Sequence, residues 1–232
     1  MRTRSFFSCA IQSVLALGLS LGALPAVGQG AASLCADPAA DESLPTLTYR
    51  RVFKGSTPEY LSIRVDKTGA GAYEGRKLSD PTEPRPLQLT PAITRQLFEL
   101  ADRLSDFRTA DLESHRKVAD LGQKTFIYES GGQKYSVEFN YTVNRDARDL
   151  SDLFEKIAMV EQHVAGLEFA IKYDHLGLPQ ELREIQIELA NQALADPELL
   201  VPTLEEIARN PRFLHLAQAR AQDILQRIQN NN

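Results

Sequence analysis

The sequence predicts an α+β fold, in which a small antiparallel sheet with a packed helix is followed by an all-helical C-terminal region. Segments typical of short strands lie between residues 47 and 141, whereas apolar residues at helical spacing dominate from about residue 146. Charge changes at the same point, because residues 29–145 contain 16 basic and 16 acidic side chains and residues 146–232 contain 8 and 15. We therefore predict an α+β sheet domain over 47–145 and a helical region over 146–232.

Three strands are predicted in the first part of the sheet. Residues 47–53 are rich in β-forming side chains, and residues 60–65 alternate apolar and polar side chains. A third short strand is predicted over about 70–75, after a turn that ends at Gly69. Beyond it, an irregular connection is predicted by three prolines, Pro81, Pro84 and Pro86.

A β-hairpin is the clearest local prediction in the chain. Residues 124–130 and 133–141 flank Gly131-Gly132, a pair suited to the positive φ angles of a two-residue turn. The register that this turn imposes pairs Tyr128 with Tyr135, Phe126 with Val137, and Glu129 with Lys134. Aromatic and aliphatic side chains then share one face, and an ion pair lies on the other.

Helix-start and helix-stop residues divide the rest of the chain. Thr90 followed by Pro91 predicts the start of an amphipathic helix. A long helix is predicted from about residue 146, and Gly177 followed by Pro179 predicts its end and the start of the next helix.

Two further helix starts are predicted near the C-terminus. Asp196-Pro197 and Asn210-Pro211 each place a capping residue before a proline, and Pro202 predicts a kink or break between them. We expect this region to be a small helical bundle, with a HEAT-type repeat as the alternative.

The N-terminus predicts export. Arg2 and Arg4 precede an uncharged stretch rich in Leu and Ala, and small residues follow at 26–28, which is the pattern of a signal peptide over residues 1–28. An uncleaved membrane anchor is the alternative, because about 20 apolar residues can span a bilayer. Residues 29–46 predict a flexible leader, and we expect a periplasmic or extracellular protein.

No motif in the sequence indicates a catalytic residue, a cofactor site or a metal site. Two histidines that bind one metal ion from a single helix face are spaced as H-x-x-x-H. None of the four histidines, His115, His163, His175 and His215, has this spacing. Three glutamates, Glu181, Glu184 and Glu188, lie on one face of a predicted helix. A row of carboxylates on a helix face indicates a surface exposed to solvent.

One polar cluster lies on a loop before the hairpin. Its central members are Asp111, Glu113, His115 and Asp120, with Asp102 and Asp106 upstream. The cluster lacks the alternating oxygen ligands and central glycine of a calcium loop, so a solvated loop is favoured.

Residues 55–60, with Tyr73 and Gly75, resemble an uncharacterised domain family of secreted bacterial proteins. The family pattern is G-x-C-P-x-Y, an alternating strand, D-G, and then Y-x-G, and the resemblance covers about residues 47–158. Thr57 stands in place of the family cysteine, and two residues separate Asp66 from Gly69. The resemblance implies a secreted α+β domain, and it implies no site residues because the family has no established activity.

These observations predict a non-enzymatic extracytoplasmic interaction or accessory module. We expect a protein partner to bind the sheet edge or the acidic helical face, without a stable membrane span after signal cleavage. The mild acidity, with a net charge of -5, argues against nucleic acid as a partner. The alternative is an unrecognised hydrolase or small-ligand-binding protein that uses the polar cluster at 111–120.

Overall fold

A six-stranded antiparallel sheet forms the first layer of the protein. The computed structural model describes residues 44–108 and 111–230, so the predicted signal peptide and nearly all of the predicted leader lie outside the described residues. The strands are β1 (Thr46–Val52), β2 (Tyr60–Asp66), β3 (Ala70–Arg76), β4 (Arg85–Gln88), β5 (Gln123–Ser130) and β6 (Gln133–Phe139). Their order across the sheet is β4-β3-β2-β1-β5-β6, so β4 and β6 are its edges.

The predicted hairpin is confirmed in its turn and in its register, although β5 begins one residue before the predicted strand and β6 ends two residues before its predicted end. Tyr128 pairs with Tyr135, and Phe126 pairs with Val137. The Lys134 ammonium lies 2.8 Å from the Glu129 carboxylate on the opposite face of the hairpin. Local pattern was sufficient here because the turn and the side-chain alternation require the same register.

β4 lies in the segment for which an irregular connection was expected, and that expectation is wrong for Arg85–Gln88. Pro86 pairs with Ala72 of β3 at the edge of the sheet. Proline is tolerated there because an edge strand has one side on which no N–H donor is needed.

The first core lies between one face of the sheet and two helices, α1 (Pro91–Arg103) and the N-terminal half of α2 (Arg145–Tyr173). Aromatic side chains fill its centre. The ring of Tyr49 stacks on Phe154 at a centroid distance of 5.1 Å, and Phe126 stacks on Phe107 at 5.2 Å. The opposite face of the sheet is more polar, and Arg50, Arg64 and Lys134 are exposed there.

A second core is formed by helices alone. It contains the C-terminal half of α2 together with α3 (Leu178–Ala190), α4 (Val201–Arg209) and α5 (His215–Asn230). Val160 is the first α2 residue in this core, whereas Ala158 still belongs to the first core. The domain boundary predicted at residue 145 stays a prediction. The helix that begins at this residue, α2, contributes side chains to both cores.

Two of the predicted helix starts differ from the structure. Asp196 does not cap the turn that follows it, because its carboxylate accepts a hydrogen bond of 2.7 Å from the backbone N–H of Thr90, at the start of α1. Pro197 opens a short 3-10 turn that ends at Leu200, and Pro202 lies in the first turn of α4, so the break predicted at Pro202 is a change from 3-10 to α-helix. α5 begins four residues after the predicted position at Pro211.

Within the described residues, no helix has both the length and the apolar character needed to cross a membrane.

Candidate functional site

The structure does not bring the polar cluster at 111–120 into one cleft. His115 Nε2 lies 3.1 Å from Asp111 Oδ2, but these two side chains are 72% and 75% exposed. Glu113 accepts hydrogen bonds from the backbone N–H groups of Asn140, at 2.7 Å, and Ser114, at 2.9 Å. Asp120 accepts one from the backbone of Gly122. These carboxylates therefore order their own loop.

The electrostatics of this loop do not resemble those of a general acid. The hydrogen bond from His115 lowers the pKa of Asp111, and the backbone N–H of Asn140 lowers the pKa of Glu113. A carboxyl group that donates a proton near neutral pH needs a raised pKa instead. In the described part of the chain, no group of three or more His, Cys, Asp or Glu side chains has the arrangement of a metal site.

The glutamate stripe of α3 is only partly a solvated surface, so that expectation needs correction. Glu181 and Glu188 face α2, where they accept hydrogen bonds from the two ring nitrogens of His163 at 2.9 and 2.7 Å. Glu184 remains exposed and contacts Gln180. His163 is 7% exposed, so the arrangement is a buried ion triad that joins α2 to α3.

Gly166 makes room for this triad. A Cβ atom at position 166 would lie 2.8 Å from Glu181 Oε1, closer than real Cβ atoms approach a side-chain oxygen. The triad could not be found from the sequence, because its three members come from two helices whose packing decides which residues face one another.

A cavity of about 270 Å³ lies between the segment before β2, the strand β3 and the helix α2. Ser56, Thr57 and Pro58 form one wall, and Tyr73 and Gly75 of β3 form another. Gln162 and Ala165 of α2 also line the cavity. Four charged side chains complete the lining: Arg76, Lys77, Glu83 and Arg85.

Two buried titratable groups lie beside this cavity. Burial, and then the nearby Glu161 carboxylate, raise the pKa of Tyr73 to about 12. Burial also raises the pKa of Glu161, while the Arg85 guanidinium opposes that shift. Arg85 itself donates hydrogen bonds of 2.9 and 2.8 Å to the two carboxylate oxygens of Glu168. The cavity is therefore lined by a neutral phenol together with charged side chains.

An acidic groove lies along the N-terminal half of α2. Its cavity of about 490 Å³ is lined by Asp149, Asp152 and Glu155, together with apolar parts of Leu153 and Met159. Glu155 is already engaged by the sheet, because it accepts a hydrogen bond of 2.6 Å from the Tyr49 hydroxyl and lies 3.3 Å from the Arg51 guanidinium. The groove thus offers two carboxylates to solvent.

The edge of the sheet at β6 is an extended surface that ends at Asn140, whose backbone N–H donates to Glu113 of the preceding loop. One side of β6 pairs with β5, and the other has no strand partner within residues 44–108 and 111–230. Ser130 and Gln133 close the two-residue turn as a hydrogen-bonded pair, and such pairs alternate along an antiparallel ladder. The residues whose backbone N–H and C=O groups point away from β5 are therefore Lys134, Ser136 and Glu138.

The opposite edge is a poorer surface for pairing. β4 has only four residues, and Pro86 among them has no N–H donor. β6 has seven residues, of which Gln133, Lys134, Ser136 and Glu138 are exposed.

The fold and these surfaces define an α+β protein with a sheet edge at β6 and a helical region that has a core of its own. No model of a known protein family matches the chain, and no curated protein matches it.

Proposed function

We propose that this chain is a non-enzymatic extracytoplasmic interaction module that binds a protein partner by adding a strand to the β6 edge. The observation that carries the proposal is the side of β6 that has no strand partner among the described residues; β6 is a seven-residue strand at the end of a six-stranded sheet. Extended segments bind such edges through main-chain hydrogen bonds, and side chains on the two faces give specificity.

The β6 edge offers enough hydrogen bonds for a specific complex. Lys134, Ser136 and Glu138 each present one N–H donor and one C=O acceptor, which allows up to six inter-strand bonds. At a net contribution of about 1 kcal/mol for each bond, the main chain alone supplies about 6 kcal/mol before the cost of association. Side-chain contacts must supply the remainder, so the chemistry of the edge selects the partner.

Export is part of the proposal and depends on the sequence. The basic start, the uncharged apolar stretch and the small residues at 26–28 are the features that support a signal peptide. Strand addition is a suitable mode for an exported protein, because it uses a preformed sheet and needs no cofactor.

Ser136→Pro tests the edge directly. The Ser136 amide points away from β5, so proline removes an outward donor without removing a bond from the hairpin. We expect the Ser136→Pro variant to lose a protein that the unmodified chain captures from cell-envelope extract, whereas the matched Ser136→Ala variant, which keeps the amide, retains it. Equal capture by both variants would exclude strand addition at β6.

A second candidate function is the binding of a small carboxylate in the cavity beside Tyr73. Three cations and one carboxylate line the cavity, and its volume of about 270 Å³ suits a ligand of amino-acid size. Arg76 is paired with Glu74 and Arg85 with Glu168, so Lys77 is the cation that a ligand carboxylate would meet. We expect amino acids and small dicarboxylates to raise the melting temperature of the unmodified chain more than that of Lys77→Gln. Identical shifts in the two proteins would remove this candidate.

A further inference from the structure

We infer that the β6 edge pairs with the β6 edge of a second copy of this chain, antiparallel and about a two-fold axis at Ser136. This inference rests on the proposed function, since it names the partner of the same edge. It follows from the order of side chains along the strand. A strand that pairs with itself about a two-fold axis places each residue opposite the one equally far on the other side of that axis.

The solvent face of β6 is complementary to itself in this register. Lys134 and Glu138 lie two residues before and two residues after Ser136, so Lys134 of each copy is opposite Glu138 of the other. The symmetry therefore creates two cross-strand pairs of opposite charge, which stabilise antiparallel strands. Ser136 is opposite its own symmetry mate, where two small hydroxyl side chains meet without a clash.

The helix-facing side of β6 is complementary in the same register. Tyr135 of one copy is opposite Val137 of the other, and this pair also occurs twice. Val137 is already buried in the isolated chain, at 7% exposure, and the Arg108 guanidinium lies 5.2 Å from the centre of the half-buried Tyr135 ring, so these pairs add little new apolar contact. Aromatic and β-branched residues are a favourable cross-strand combination.

The backbone pattern selects this register over its neighbours. Lys134, Ser136 and Glu138 are the residues with outward N–H and C=O groups, and the two-fold axis at Ser136 pairs all three with outward-pointing residues of the second copy. A shift by two residues along the strand would remove both charge pairs and leave one outward residue of each copy beyond the ladder.

The charges in the isolated chain are compatible with this pairing. Lys134 lies 2.8 Å from Glu129, but Glu129 also lies 3.5 Å from the Arg64 guanidinium, so it keeps a cation when Lys134 turns toward the second copy. Within the residues that the structure describes, Glu138 has no ion pair, and it gains one in the proposed dimer.

The test is a charge exchange across the two-fold axis, performed on the chain from residue 29 onward. Sedimentation velocity and light scattering would measure the dimer dissociation constant of the unmodified chain. Lys134→Glu places two acidic residues opposite each other twice in each dimer, and Glu138→Lys does the same with two basic residues. We expect each single variant to weaken the dimer by about tenfold or more.

Two rescue experiments separate the interface from folding. The double variant Lys134→Glu/Glu138→Lys restores both opposite-charge pairs and should recover the dimer, although it keeps the same change beside Glu129. An equimolar mixture of the two single variants should form a heterodimer in preference to either homodimer. Urea unfolding of each variant shows whether its fold is intact.

The outcomes distinguish the second copy from the broader proposal. The proposed register is overturned if the two single variants and the double variant all have the same dimer dissociation constant. An unmodified chain that stays monomeric at 100 μM overturns the second copy as partner, and strand addition itself still stands if Ser136→Pro abolishes capture of another protein. If Ser136→Pro also has no effect on capture, both proposals fail.

Discussion

The buried ion triad of α2 and α3 leads to a specific prediction for His163→Gln. The glutamine keeps a polar side chain of similar size but removes the cation between Glu181 and Glu188. Each hydrogen bond to a charged group contributes about 1.5–3 kcal/mol. Two such bonds would sum to about 3–6 kcal/mol, and because the two glutamate side chains are 27% and 29% exposed, solvent screening reduces the expected loss to about 2–4 kcal/mol.

The effect depends on pH with a defined sign. Burial alone would lower the pKa of His163, but the hydrogen bonds that its ring N–H groups donate to Glu181 and Glu188 outweigh burial, and the net pKa is raised. A cation with a raised folded-state pKa contributes its full stability below its unfolded pKa, about 6.5, and that contribution is lost as the pH rises through the folded-state value. The unmodified chain should therefore lose stability above about pH 6.5.

Urea unfolding followed by circular dichroism, at constant ionic strength between pH 6 and pH 9, measures this effect. His163→Gln should be less stable than the unmodified chain at pH 6, and the difference should shrink toward pH 9. His115→Gln is the matched control, because the Asp111 carboxylate also raises the pKa of His115 but both side chains are exposed. The reasoning is refuted if His163→Gln and the unmodified chain lose stability in parallel across this range.

Three further substitutions test other contacts, each by urea unfolding. Gly71→Ala should destabilise the sheet by about 1–3 kcal/mol, because the new Cβ atom would collide with the Arg64 carbonyl of β2. An unchanged free energy of unfolding would show that β2 and β3 can move apart at little cost. Asn144→Ala should cost about 1 kcal/mol, since Asn144 caps α2 through the N–H of Ala147, and Asn144→Asp should keep most of that stability. Phe126→Ala should cost about 3–5 kcal/mol, because its fully buried ring contacts three aromatic rings of the first core; a loss below about 1 kcal/mol would contradict that packing.

Local signals predicted the elements whose structure is decided locally. The hairpin at Gly131-Gly132 and the start of α1 at Pro91 agree with the structure. The period of the side chains and the turn residues specify these elements without help from distant parts of the chain.

The elements that were missed depend on distant contacts. β4 forms because β3 supplies its ladder, and Pro86 is acceptable only because the strand lies at an edge. The carboxylate of Asp196 bonds to the backbone of Thr90, which is 106 residues away in sequence. A capping residue that satisfies a different helix cannot be assigned from its own neighbours.

The candidate site shows the same division. The sequence predicted binding at a sheet edge, and the alternation of Lys134, Ser136 and Glu138 was already visible in it. The sequence did not show which strand forms the edge. β1 lies between β2 and β5, and this order places the hairpin at the end of the sheet. That position is a property of the whole topology.

The length of α2 has a consequence for how the molecule opens. Its 29 residues span about 43 Å, with Ala158 in one core and Val160 in the other. Loss of either core would leave half of the same helix uncovered, so the two cores should open together in one cooperative step. Native-state hydrogen exchange should then find the slowest amides near the middle of α2, where both cores meet, and amides in the sheet and in α5 should share one opening free energy.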